Sequence, residues 1–209
     1  LGDVLGYGPR PNECATAVRA RAEVCLVGNH DLAVLGRLDL EDFTPDAAAA
    51  ARWSADVLEE PAREWLGSLV PSAVVDGAEL FHGSPRDPVW EYVLSEEIAA
   101  ASLSATSAPL VLVGHSHVPL ALYEEPGGVG GGIARDGTVA DLGERRWLLN
   151  PGSVGQPRDG DPRAAWLLLD TGARTASFRR VEYPIERTQA EIRAAGLPES
   201  LAARLGSGA

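Results

Sequence analysis

The chain has four histidines, and each follows an apolar run rather than lying at random on the surface. His30 stands in LVGNHD, His82 in LFHGSP, and His115 and His117 in LVGHSHVP. Asp3 takes the matching place in LGDVLGYGP. Asp, Asn and His brought together make an oxygen and nitrogen ligand set, suited to Mn, Fe, Zn or Ni rather than Ca. Each signal has a plainer reading on its own. A single His at a strand end is commonly a hydrogen-bonded structural residue, an HxH pair is ambiguous, and Gly-Asp is a usual turn. GNHD can equally serve as a helix cap through Asn29 or Asp31. Those readings leave the coincidence of positions unexplained, so a metal site is expected where these segments meet.

The elements that must position these residues follow from patterning. Glu23–Val27 reads as a buried strand closed by Gly28, and Leu1–Gly2 as the last step of another. Ser72–Asp76 and Glu79–Gly83 read as strands joined by a turn at Asp76-Gly77. The stretches PLVLVG, PLALYEE, ERRWLLN, AAWLLLD and ASFRRVEY read as further short strands. Helices are expected over Asn12–Ala22, Thr44–Leu58, Pro61–Leu69 and Glu96–Leu103, with two more between Ile185 and Leu205. Gly127–Gly137 lacks the ending of a phosphate loop and reads as a flexible hairpin loop. Strands alternating with helices, followed by a strand-rich half, predict an α/β protein with stacked sheets in one domain over residues 1–209. In such sheets the carboxyl ends of parallel strands converge on one rim, where ligands bind.

Composition narrows the partners. The net charge is −12, from 30 acidic and 18 basic residues, and every basic residue is Arg. Such a surface repels polyanions, which argues against nonspecific nucleic-acid binding and against acidic membranes. Bound cations can still reverse the field inside one cleft. No apolar run approaches the roughly 18 residues of a membrane span. Cys14 and Cys25 suggest two ordinary thiols in a reducing cytoplasm. The absence of Met and the abrupt opening lead us to expect a natural start upstream.

The ordered blocks GD, GNHD, HG and GHSH resemble those of the calcineurin-like metallophosphoesterases. The longer blocks GDVLGYGPRPNEC, FHGSPRDPVWEY and NPGSVGQPRDGDPRAAW extend the resemblance over nearly the whole chain. They are similar to a bacterial branch that includes small phosphodiesterases and dinucleoside polyphosphate hydrolases. The resemblance implies a four-layer α/β/β/α sandwich and two divalent ions, Mn²⁺ first, with Fe, Zn or Ni as alternatives. It also implies that Asp3 bridges the ions, that Asn29, His82 and His115 complete one shell, and that His117 serves the other. His30 would be the catalytic histidine off the metals, with Asp31 as its orienting partner. The family's opening Asp-x-His block, one strand and one helix before GD, is not among these residues. One site is therefore expected to be complete, and the other to hold only Asp3 and His117.

The implied chemistry is hydrolysis of a phosphodiester or phosphoanhydride in a small, nucleotide-type substrate. Two cations about 4 Å apart neutralise phosphate oxygens and turn a bridging water into a nucleophile near neutral pH. Arg86, Arg158 and Asn150 are weaker candidates for substrate contact, each with an equally plain solvent or loop role. Tyr7 and Trp90 read as packing residues in preference to base-stacking ones. A protein Ser/Thr phosphatase and a non-catalytic scaffold on the same fold stand as alternatives. Patterning says nothing of oligomeric state.

Overall fold

The computed structural model describes residues 1–209. Helix α1 (Pro11–Arg19) starts on a proline, whose missing N–H falls where no helical partner exists. Helix α2 (Asn29–Val34) follows Gly28, and Asp31 reaches back to the Gly28 N–H at 3.0 Å. The Thr44 hydroxyl accepts the Ala47 N–H and opens α3 (Pro45–Val57), which α4 (Glu60–Gly67) follows. The alanine run makes α3 thin enough to pack on two sides. Ala51 joins Leu5, Val34 and Leu66 in one core, while Ala50 meets Ile192, Leu201 and Leu205 of the last helices. Those helices are α6 (Ile185–Ala194) and α7 (Glu199–Ala203), with α5 (Glu96–Ser104) between them and α4 in sequence.

Strands β1 (Ser72–Val75) and β2 (Ala78–Phe81) form a hairpin around Asp76 and Gly77, both at positive φ as a type I′ turn requires. Strands β3 (Leu110–Val113), β4 (Pro119–Glu125), β5 (Gly128–Ile133) and β7 (Trp147–Pro151) complete a six-stranded sheet of order β1-β2-β3-β7-β4-β5. Strands β6 (Val139–Asp141), β8 (Ala164–Asp170) and β9 (Thr175–Val181) form a second sheet of order β6-β9-β8. Alternation along β7 shows how the sheets stack. Trp147 and Leu149 face Phe178 and Ala176 of the second sheet, while Leu148 faces Leu103 beneath α5. Leu148 and Leu149 are fully buried, and each contributes about 1.5–3 kcal/mol by leaving water. The chain is thus a mixed α/β fold with a central sheet flanked by helices. The second sheet's outer face leaves Val139, Trp166, Leu168 and Val181 exposed.

Three local expectations are corrected. Glu23–Val27 is not a strand, because its backbone has no ladder and only the Val27 N–H finds a partner, at Val70 O. Leu1–Gly2 likewise joins no sheet. Most of Gly127–Gly137 is not a loop. Residues Gly128–Ile133 pair with β4 from Glu125↔Gly128 to Leu120↔Ile133, so β4's ladder overrides the weak strand preference of glycine. No helix in the chain is long and apolar enough to cross a membrane.

Strands β2, β3 and β7 run parallel. Their carboxyl ends open on one rim, and His82, His115, His117 and Asn150 lie there.

Candidate metal centre

Asp3, His82 and His115 present ligand atoms that all lie within 4.8 Å of one another. Asp3 is set by its backbone. Its φ is +53°, a left-handed value, and its Oδ1 accepts the His30 N–H at 2.9 Å. Gly28 makes this approach possible, since a Cβ there would stand 2.1 Å from Asp3 Oδ1. The glycine of GNHD is therefore required by the aspartate of GD.

His82 is fixed at both ring nitrogens. Nδ1 lies 2.8 Å from Leu1 O, so the ring proton is committed there. Nε2 then carries a lone pair, and it lies 3.1 Å from Asn29 Oδ1 and 3.6 Å from Asp3 Oδ2. These are acceptors facing acceptors in a buried site, an arrangement that a cation resolves. Double protonation of the ring would also resolve it. Burial opposes that, lowering the His82 pKa to about 4, so the remaining proton source in the cluster is the Asp3 carboxyl, whose proton an incoming cation would displace. His115 Nε2 is buried with no hydrogen-bond partner, and burial lowers that ring to about 3. Tyr92 stacks on His115 with centroids 3.8 Å apart.

His115 and His117 lie beyond the strand, so strand alternation does not set their directions. The strand ends at Val113, and both residues adopt left-handed backbone, φ +59° and +60°. Of five non-glycine residues at positive φ, three are Asp3, His115 and His117, so backbone strain concentrates at this site. His117 stands outside the three-residue cluster. Its Nδ1 lies 2.8 Å from Gln156 O, which leaves Nε2 as a lone-pair donor. A backbone carbonyl behind each imidazole is the usual outer support of a histidine ligand.

Burial pushes Asp3 up to about 7, and Asp31 also to about 7 with help from the Asp3 charge. Asp31 does not orient the His30 ring through a hydrogen bond, as the resemblance implied. Its oxygens accept the N–H groups of Val4, Leu5 and Gly28 at 2.9–3.2 Å, so it ties the Asp3 loop to α2. His30 is held by aromatic neighbours, Tyr7 at 4.1 Å and Phe43 at 5.1 Å between centroids. Gly6 is the second obligatory glycine, at φ +120°, because a Cβ there would meet His30 Nδ1 at 2.6 Å. That Nδ1 is buried without a partner, and burial lowers His30 to about 3.

The weaker candidates separate. Arg158 reaches the site: it donates to Tyr7 Oη at 3.2 Å and to Gln156 Oε1 at 3.0 Å, and its charge acts on Asp3, His30 and His117. Arg86 turns aside to Glu91 at 3.4 Å and is 45% exposed. Asn150 has no free group for substrate. Its amide donates to Gly114 O at 2.7 Å and Ser116 Oγ at 3.0 Å, and its oxygen accepts the Gly152 N–H. It braces the GHSH turn. Trp90 packs on Phe43, as read from the sequence, whereas Tyr7 joins the site directly. Tyr92, Gln156 and the brace role of Asn150 were not legible in sequence, because each depends on a contact between segments far apart in the chain.

The calcineurin-like phosphoesterase superfamily domain model matches residues 1–174. A metallophosphoesterase from Sphaerobacter thermophilus has a similar crystal structure, with TM-score 0.90 and 44% identity over 100% of this chain and 86% of that one. The uncharacterized protein MJ0912 of Methanocaldococcus jannaschii is 34% identical over 98% of this chain and 84% of its own. The hypothetical protein PH1004 of Pyrococcus horikoshii, at 19% identity and TM-score 0.78, shares the fold; it covers 100% of this chain and 83% of that chain. The chain belongs to the calcineurin-like phosphoesterase superfamily. Divalent metal ions are implied by that membership, and Asp3, His82 and His115 fit one of them.

Proposed function

We propose that the chain is a metal-dependent hydrolase of small phosphodiesters or phosphoanhydrides of the nucleotide type. The observation that carries the reading is the set of acceptors facing one another at His82 Nε2, Asn29 Oδ1 and Asp3 Oδ2, beside the unpartnered His115 Nε2. Asp3, Asn29, His82 and His115 would hold one ion, and Asp3 with His117 a second. Bound there, divalent cations would neutralise phosphate charge and acidify a water molecule. Manganese is the first candidate because the family resemblance implies it; the oxygen and nitrogen donors suit Fe, Zn and Ni as well.

The remaining steps belong to the chain. Arg158 offers its guanidinium to a phosphoryl oxygen, and its bonds to Tyr7 and Gln156 fix its direction. His30 stays off the ligand cluster and stands ready to donate a hydrogen bond to the leaving oxygen. Burial keeps it neutral until an anion arrives, whose charge then favours the protonated ring. Tyr7, Phe43 and Tyr92 wall the site with aromatic surface and limit water. The net charge of −12 disfavours nonspecific nucleic-acid partners, and two free thiols fit a cytoplasmic setting.

Mn²⁺-loaded protein should be assayed in parallel on bis(p-nitrophenyl) phosphate, a dinucleoside polyphosphate and a phosphoserine peptide. Turnover of the first two in preference to the peptide is expected. Turnover of the peptide alone would move the chain to the protein phosphatases, and metal binding without any turnover would favour a scaffold.

A further inference from the structure

We infer that Tyr92 is a positioning residue of the metal centre: the face of its ring fixes the rotation of the His115 imidazole and thereby sets how tightly an ion is held. This role rests on the metal-site reading proposed above and adds to it a residue that is not itself a ligand.

His115 needs a support that its backbone does not supply. It lies beyond β3 in left-handed backbone, φ +59°, a conformation that a side chain with a Cβ keeps only where its surroundings enforce it. Asn150 braces the backbone of this turn through Gly114 O and Ser116 Oγ, and neither bond reaches the imidazole. His82 and His117 each hold Nδ1 2.8 Å from a backbone oxygen, whereas His115 Nε2 is buried without a partner. Tyr92 lies flat on the His115 ring, with centroids 3.8 Å apart and planes 19° from parallel. One face laid on the other blocks rotation about the Cβ–Cγ bond, so the ligand atom of His115 stays within 4.8 Å of those of Asp3 and His82.

The loop after β2 is built to deliver this ring. The Gly83 N–H bonds Pro88 O at 2.8 Å and the Ser84 N–H bonds Asp87 O at 2.9 Å, a turn so close that a Cβ at Gly83 would stand 2.5 Å from Asp87 O. The Ser84 hydroxyl, fully buried, accepts the Arg86 and Asp87 N–H groups and donates to the carboxylate of Glu91, the neighbour of Tyr92. The Asp87 carboxylate accepts the N–H groups of Val89 and Trp90, each at 3.0 Å. One segment thus carries the ligand His82 at its start and the support for His115 at its end. Tyr92 remains 40% exposed, so core packing does not account for its place. The stack also strengthens when His115 ligates a cation, because ligation withdraws electron density from the imidazole and the electron-rich face of a phenol attracts an electron-poor neighbour.

The test is calorimetric titration of metal-free protein with Mn²⁺, joined to ultraviolet difference absorption of tyrosine. Tyr92→Ala should weaken Mn²⁺ about tenfold, and Tyr92→Phe, which keeps the ring face, should stay within about twofold of the wild type. Tyr92→Leu fills the space without a flat face, guards against collapse of the alanine variant, and should weaken Mn²⁺ by a similar factor. Mn²⁺ should shift the tyrosine band of the wild type, and Tyr92→Phe should lose most of that shift while still binding the ion. Wild-type affinity in Tyr92→Ala or Tyr92→Leu would overturn the role, as would equal weakening by Tyr92→Phe and Tyr92→Ala, which moves the effect to the hydroxyl. Binding that His82→Ala abolishes and Tyr92→Ala leaves unchanged rejects the positioning role alone. No binding by the wild type rejects the metal-site reading and the role with it.

Discussion

Asp3 Oδ2 and His82 Nε2 lie 3.6 Å apart in a buried site, with the His82 proton committed on the opposite side of the ring to Leu1 O. The pair is arranged for a shared cation, because neither atom has a proton to give the other once Asp3 is ionised. Its protonation state therefore controls metal binding.

Burial raises Asp3 to about 7, whereas it lowers His82 to about 4 and His115 to about 3. Between pH 5 and 8 the two imidazoles are already neutral and release nothing. The proton displaced by an incoming ion comes from the carboxyl. Affinity for Mn²⁺ should weaken as pH falls through the range in which the coupled Asp3 and Asp31 carboxyls take up protons, and level off above it. Titration in buffers of different ionisation enthalpy should detect more released protons at pH 6 than at pH 8. Affinity that stays constant from pH 6 to 8 would contradict this assignment.

His30 lies against Tyr7 and Phe43, and it touches Asp3 only through its backbone N–H. His30→Ala should keep the metal content of the wild type and lower kcat by about 10²-fold or more. Loss of metal in this variant would make His30 a ligand and end its role as a donor to the leaving oxygen.

Asn150 is fully buried at the end of β7 and braces the turn that carries both His115 and His117. Asn150→Ala strands Gly114 O and the Ser116 hydroxyl. It should destabilise the fold by about 2 kcal/mol, which lowers Tm by about 4–8 °C. Thermal unfolding of the metal-free protein reads this directly. An unchanged Tm would show that the turn holds its left-handed geometry without the brace.

Residues that supply the chemistry were legible in the sequence because their types are rare in this chain and their blocks follow apolar runs. His82 and His115 come together at the ends of β2 and β3, which the apolar stretches ELF and LVLV announced. Elements with a strong local signal were equally plain: the Thr44 cap, Pro45 and alanine run of α3, and the Asp76-Gly77 turn. What escaped was set by partners distant in sequence. Gly128–Ile133 becomes a strand only because β4 supplies a ladder, and Glu23–Val27 fails to become one for want of a ladder. Asp31 looked like a partner for its neighbour His30, yet backbone N–H groups of residues 4 and 5 claim its oxygens. The divergence of His115 and His117 depends on two strained backbone angles that no spacing encodes.

Metal content per chain, after loading with Mn²⁺ and desalting, is the most direct measurement. About one retained ion per chain is the expected result, with loss in His82→Ala and retention in His30→Ala. No retained ion in the wild type, or undiminished retention in His82→Ala, would contradict the assignment of Asp3, Asn29, His82 and His115 as a metal site.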